Sequence, residues 1–271
     1  MKILKKSEIG SKTNFAVLIY GQSGIGKTTF AGGNSEDTIL FDFDNGAWRA
    51  AQGRCYHVAQ EVDFGAVKDF VLSKENVYRN IVFDTGSKLI AAIQTYVKQN
   101  NSRLALPSMS LKMYGEVNLE LKNFINSVLQ LNKNIVFVCQ REVSKNGEIE
   151  RFTPVFGSDK NYSLLIEDID LCGYLEKVGN DRVITFEPNE RSEGKNTLNI
   201  PVTKVTPESS IYDLLPKPKQ FTKEEIIEKL SEIDSIGDLN SFYRQWKNSS
   251  NIAEYAEMFG NAKKMLDKKA A

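Results

Sequence analysis

The residues best suited to chemistry stand early in the chain, in Gly21-Gln22-Ser23-Gly24-Ile25-Gly26-Lys27-Thr28-Thr29. They satisfy every fixed position of the phosphate-binding loop G-x-x-x-x-G-K-[ST]. Glycines let the backbone curl until successive N–H groups point at one anion, and a helix N-terminus adds its partial positive charge. In this pattern Lys27 reaches the β- and γ-phosphates, Thr28 places its hydroxyl on Mg²⁺, and Thr29 helps close the first helical turn. ATP and Mg²⁺ are the expected cofactors.

Three more positions extend this chemistry. Asn80-Ile81-Val82-Phe83-Asp84-Thr85 reads as a buried strand ending in a carboxylate, the form of a Walker B segment, so Asp84 is the expected second metal-side residue. Hydrolysis also needs an acid to orient or deprotonate water in line with the γ-phosphate. Asp44, at the exit of a strand over residues 38–44, is the first choice, and Asp42 the reserve. Gln140 ends the apolar run from Asn134 and is the candidate γ-phosphate sensor; a strand-end glutamine bonding to its neighbouring loop fits equally well. Residues 142–162 have loop character with a turn signal at Asn146-Gly147, and there Arg151, Phe152, Phe156, Lys160 and Tyr162 interleave charge with rings. Rings stack on bases while cations hold phosphates, so Arg151, Phe152 and Lys160 are the candidate contacts to single-stranded DNA. An ordinary β-hairpin has the same look.

The elements that must position these residues follow from the hydrophobic pattern. Phe15 to Tyr20 is an unbroken apolar run directly before the first glycine, as a buried parallel strand should be. Residues 54–59 suggest a short strand in which the single histidine, His57, is structural. Asp63 caps a helix with Phe64, Val67, Phe70 and Val71 on one face. A helix over 87–97 follows, then an irregular stretch over 98–113. Tyr114-Gly115 then precedes a long helix marked by Val117, Leu121, Phe124, Val128 and Leu131. Residues 169–175 and 182–186 alternate around Gly179-Asn180-Asp181, which predicts an antiparallel hairpin, with a last short strand near 198–205.

Five of the seven prolines fall between Pro188 and Pro218. The division expected is an arm over 1–14, a nucleotide-binding core over 15–206, a linker over 207–220 and a helical domain over 221–271. Thr222-Lys223-Glu224-Glu225 is a capping box for a helix with Ile226, Ile227, Leu230 and Ile233 inward. Leu239, Phe242, Tyr243 and Trp246 mark a second helix; Ile252, Tyr255, Met258, Phe259, Ala262, Met265 and Leu266 mark a third.

Lysines plus arginines number 35 and aspartates plus glutamates 35 in 271 residues, which excludes a general polycation and confines any nucleic-acid contact to a local patch. Cys55, Cys139 and Cys172 have no ligand-like spacing and suggest buried thiols in a reducing compartment. No run approaches a membrane span, and residues 1–11 lack the apolar centre of a signal peptide, so a soluble cytoplasmic protein is expected. An N-K-x-D guanine reader is absent at 140–144, a partition-type loop would need lysine in place of Gln22, and Arg151 alone does not make a kinase lid. What remains is an ATPase in which a strand intervenes between the phosphate loop and the Walker B strand.

The order of Gly21 to Thr29, Leu40-Phe41-Asp42-Phe43-Asp44-Asn45-Gly46, Ile81 to Thr85, Tyr114-Gly115, Ile135 to Gln140 and Asp168 to Leu175 resembles the phage nucleotide-binding AAA-domain proteins, some of which are RecA-like, single-strand-annealing recombination ATPases of the Sak group. The resemblance covers residues 15–205. It implies an α/β phosphate-loop NTPase with a RecA-like, mostly parallel sheet flanked by helices, plus a β-hairpin addition. It puts the family's D-x-E-x-G acid at Asp44, one methylene shorter than the usual glutamate. It further implies single-stranded DNA and a single-strand-binding protein as partners, and head-to-tail homo-oligomers, rings or filaments, in which a neighbour's cation reaches the γ-phosphate. Arg141, Arg182, Arg191 and Lys195 are the candidates for that cation. Two rival readings stand beside it: an ATPase that regulates or loads a protein partner without DNA, and a nucleotide-binding module that does not turn over.

Overall fold

The computed structural model describes residues 12–60, 62–100, 110–146, 148–217, 222–235, 238–240, 242–243 and 256–270. Trp246, Ile252 and Tyr255, and the leading segment up to Ser11, lie outside the described residues. Residues 14–215 form one compact unit, and the chain from Pro216 belongs to a second.

The first unit is a ten-stranded mixed sheet flanked by helices. Its strands are β1 (Ala16–Gly21), β2 (Thr38–Asp42), β3 (His57–Ala59), β4 (Asn80–Asp84), β5 (Asn134–Asn146), β6 (Ile149–Pro154), β7 (Leu171–Val178), β8 (Asp181–Thr185), β9 (Lys195–Asn196) and β10 (Thr203–Val205). The order across the sheet is β10-β8-β7-β1-β5-β4-β2-β3, with β6 beside β5 and β9 beside β7. From β7 to β3 every pair in that order is parallel, while β8 and β10 continue antiparallel. β5 therefore stands between the phosphate-loop strand β1 and the Walker B strand β4, the intervening strand expected from the sequence.

The helices are α1 (Lys27–Gly32), α2 (Trp48–Ala51), α3 (Phe64–Leu72), α4 (Gly86–Asn100), α5 (Leu111–Leu129), α6 (Asp159–Asp168) and α7 (Ile211–Leu214). Because side chains alternate along a strand, β1 feeds two cores. Leu18 and Tyr20 join Phe83, Phe137, Ile90 and Phe124 in one, whereas Val17 and Ile19 join Phe30, Val82, Val136 and Ile211 in the other. Burial on both faces is why the strands read as unbroken apolar runs. The Phe83 ring stacks on both Phe41 and Phe137, tying β2, β4 and β5 together inside the first core.

Several sequence expectations need correction. The second strand stops at Asp42, leaving Phe43 and Asp44 on a turn. Tyr114-Gly115 lies inside α5, because the Ser110 hydroxyl accepts the Met113 N–H and starts the helix at Leu111 with Met113 buried. Residues 142–162 are not a loop: β5 runs on to Asn146, pairs antiparallel with β6, and is followed by α6, capped by Ser158 and anchored by buried Leu165. Cys139 and Cys172 are buried, but Cys55 is exposed.

In the second unit, helix α8 (Lys223–Ser231) carries the complete Thr222/Glu225 capping box. Ile226, Leu239, Phe242, Phe259 and Leu266 make its core. Ile227 and Met265, expected inward, are 48% and 66% exposed, since the apolar stripe on each helix is narrower than its count of apolar residues.

Candidate functional site

Parallel register brings the chemistry to one edge of the sheet. Gly21 on β1 aligns with Gln140 on β5, Val138 on β5 with Asp84 on β4, and Asp84 with Asp42 on β2. These are the carboxyl ends of their strands or close to them, where open α/β sheets bind ligands. Gln140 stands two residues past Val138, so its side chain leaves the sheet between the phosphate loop and Asp84.

The loop needs its glycines for separate reasons. Gly24 and Gly26 have φ of 74° and 103°, a region L side chains rarely adopt. At Gly21 the obstacle is crowding, as a Cβ there would lie 2.2 Å from the Leu175 carbonyl oxygen. Gly26 caps α1 without a side chain, so the first N–H groups of the helix face outward over the loop.

Lys27 is 5% exposed and threads back under the loop. Its Nζ donates to the carbonyls of Gly21 at 3.0 Å and Gln22 at 2.8 Å, and to Gln140 Oε1 at 3.2 Å. Burial holds its pKa below the ordinary lysine value, opposed first by the Asp84 carboxylate. Thr28 Oγ1 donates to Asp84 Oδ2 at 2.6 Å. Burial pushes the Asp84 carboxyl up to about 7, with Asp44 and Asp42 adding to the rise while the Thr28 hydrogen bond and Lys27 oppose it. Among the described residues no lysine or arginine forms an ion pair with Asp84. A hydroxyl and a buried carboxylate in contact, with no cation paired to the carboxylate, form an oxygen donor set that suits Mg²⁺.

The two aspartates after Leu40 divide their work. Asp42 is 1% exposed and both its oxygens are taken, Oδ1 by the Gly46 N–H at 3.1 Å and Oδ2 by the Ala47 N–H at 2.8 Å. It fixes the turn on which Asp44 stands. Asp44 is exposed and accepts the Gly46 N–H at 3.0 Å. Partial desolvation and then Asp42 raise its pKa, while Gly46 and Arg49 pull it down. Thus Asp44 is free to meet water and Asp42 is not.

The residues expected to touch DNA are not brought into one stacking surface. Phe152 is 4% exposed; its ring stacks on Tyr174 at 5.2 Å, and the Arg141 and Arg191 guanidiniums lie 4.5 and 5.3 Å from its centroid. A ring so covered has no face to offer a base. Arg151 is half exposed and ion-paired to Glu193 at 2.5 Å, and Lys160 is exposed in the first turn of α6. Phe156 belongs to the first core.

Among the four candidate trans cations, Lys195 is committed within its own chain, donating to the carbonyls of Ile166 and Glu167 at the end of α6. Arg182 stands beside the phosphate loop of the same chain, its guanidinium 3.7 Å from where a Cβ on Gly26 would be. Arg141 donates to the Tyr174 hydroxyl at 2.6 Å. Sequence reasoning missed the structural use of Arg141 and Tyr174; the one available signal was that Arg141 directly follows Gln140.

Fold and site together define an AAA-type phosphate-loop ATPase domain. The chain belongs to the AAA domain family, whose model matches residues 13–198. No curated protein matches it. Among solved structures, the crystal structure of a KaiC-like protein from the hyperthermophilic archaeon Pyrococcus horikoshii OT3 is similar at 10% identity, covering 74% of this chain and 96% of that one with a TM-score of 0.40. No helix among the described residues is long and apolar enough to cross a membrane.

Proposed function

We propose that this chain binds Mg-ATP, hydrolyses it to ADP and phosphate, and couples the turnover to single-stranded DNA in recombination, annealing or repair. The observation that carries the enzymatic part is the Thr28 to Asp84 contact of 2.6 Å beside a buried Lys27 bonded to Gln140.

The loop N–H groups bind the β-phosphate, and Lys27 exchanges its carbonyl partners for the β- and γ-phosphate oxygens. Thr28 and Asp84 would hold Mg²⁺, which would supply charge neutralisation at the phosphates. Asp44 accepts the proton of the water that attacks γ-phosphorus as the bond to the β-bridging oxygen breaks. Gln140, released from Lys27 when the γ-phosphate takes that bond, reports the change to Arg141, the next residue of β5. From there the β5–β6 hairpin, with Arg151 ahead of α6 and Lys160, continues outward.

DNA as the coupled partner is supported by the resemblance to annealing ATPases and by the exposed cations Arg151 and Lys160 on the segment that Gln140 leads into. The same reading takes head-to-tail homo-oligomers as the working form, with Arg191 left as an exposed candidate trans cation, and a single-strand-binding protein as a further partner. Phosphate release with and without single-stranded DNA tests it. Stimulation by DNA supports the proposal, while turnover indifferent to DNA assigns the site to an ATPase that acts on a protein partner.

A further inference from the structure

A cleft of about 500 Å³ lies against the phosphate loop on the flank away from Asp84, since β7, β8 and β10 succeed β1 on one side of the sheet and β5 and β4 on the other. One wall is formed by Gln22 to Ile25. The opposite wall is the β7–β8 turn and the end of β10, including Arg182, Thr206 and Pro207. Lys204 at this wall is neutralised by Asp181 at 2.8 Å, whereas Arg182 has no carboxylate ion pair among the described residues.

A nucleoside triphosphate with its β- and γ-phosphates on the loop must send its sugar and base out to one side. On the flank toward Asp84 stand Thr28, Asp84 and Gln140, the residues assigned above to Mg²⁺ and the γ-phosphate. The other flank offers a cleft of the size that small ligands occupy, with both polar and apolar walls. The Arg182 guanidinium stands beside Gly26, 3.7 Å from the position of an absent Cβ, at ordinary contact distance from the loop. Arg182 lines the cleft at this point, and a planar guanidinium is a group on which a heteroaromatic base can stack.

We propose that this cleft receives the nucleoside end of the bound nucleotide, with Arg182 stacked on the base. The assignment rests on the phosphate-site reading above and adds to it the subsite that distinguishes a nucleotide from a bare polyphosphate. It also makes Arg182 a residue of the chain's own site, not a cation delivered to a neighbour.

The test is isothermal titration of the full chain with Mg-ATP and, separately, with inorganic tripolyphosphate and Mg²⁺. Arg182→Ala removes the stacking partner, and Thr206→Trp fills the cleft from its exposed rim. Both variants should raise the Kd for ATP about tenfold or more, the scale of one lost base stack, and leave that for tripolyphosphate within twofold. Unchanged ATP affinity in both, or equal losses for the two ligands, overturns the assignment. Retained tripolyphosphate binding shows that the phosphate site stands even when the base subsite fails. A wild-type chain that binds neither ligand removes the phosphate-site reading and this inference with it.

Discussion

Thr28 Oγ1 and Asp84 Oδ2 lie 2.6 Å apart, joining the first turn of α1 to the end of β4 across 56 residues of sequence. Neither strand nor helix alone creates this pair. It exists because β5 spaces β4 from β1 by one strand and the loop carries Thr28 over the gap.

Asp84→Asn keeps the shape of that contact and removes its negative charge. We expect Mg²⁺-dependent nucleotide affinity to fall by about 10–100-fold, read from ATP titrations at graded Mg²⁺. The pH dependence is set by the same carboxyl. Its folded pKa, pushed up to about 7 by burial, lies above the ordinary aspartate value of 3.8. The folded state therefore holds a proton that the unfolded chain has lost, and metal-free stability should fall as pH rises from about 4 to about 7 and then level. Magnesium binding should run the other way, strengthening as the carboxyl ionises toward pH 7. In Asp84→Asn both slopes should flatten, as thermal melts and titrations from pH 5 to 8 would reveal.

Asp44 and Asp42 should separate cleanly. Asp44→Asn is expected to depress kcat strongly with ATP affinity kept, because Asp44 meets water at the exposed turn. Asp42→Ala leaves the buried N–H of Ala47 without its carboxylate, a cost of about 1–3 kcal/mol, while Gly46 keeps Asp44 as acceptor, so it should lower thermal stability as well as activity. Equal loss of ATP binding in Asp44→Asn would make Asp44 a metal or structural residue.

The thiols should differ in reactivity. Burial pushes the Cys172 thiol up to about 12 and Cys139 higher still, while Cys55 is exposed. A thiol reagent added to the native protein should modify Cys55 alone, and all three cysteines after denaturation, as counted by mass spectrometry.

Phe152 and its cationic neighbours should behave as different things. Phe152→Ala empties a site between Tyr174, Arg141 and Arg191 and should cost about 3–5 kcal/mol of stability. Neutralising Arg151 and Lys160 together should leave stability nearly unchanged, weaken single-strand binding and lower its salt dependence. A salt slope equal to that of the wild type would remove these residues from the DNA-contact account.

Much of the phosphate site was legible because its requirements are local. The φ of Gly24 and Gly26, the helix start at Lys27 and the carboxylate at the end of an apolar strand are all written into short stretches. Strand order was recoverable only in outline, through the absence of motifs belonging to other classes. What stayed hidden depends on distant pairing. Nothing near Phe152 announces that Tyr174 and two arginines will cover it, and nothing near Arg182 announces that β8 will lay it against Gly26. The continuation of β5 past Gln140 was obscured because its outer half, with β6, is exposed and polar and carries no apolar run. Asp42 and Asp44 looked equivalent until burial and the N–H of Ala47 claimed Asp42 alone.

The most direct test of the nucleotide site is steady-state phosphate release from Mg-ATP by the purified chain, measured beside Lys27→Ala. Removing the buried amino group that bonds Gly21, Gln22 and Gln140 should reduce turnover to background while the variant stays folded by circular dichroism. Phosphate release at the wild-type rate from folded Lys27→Ala would contradict the account.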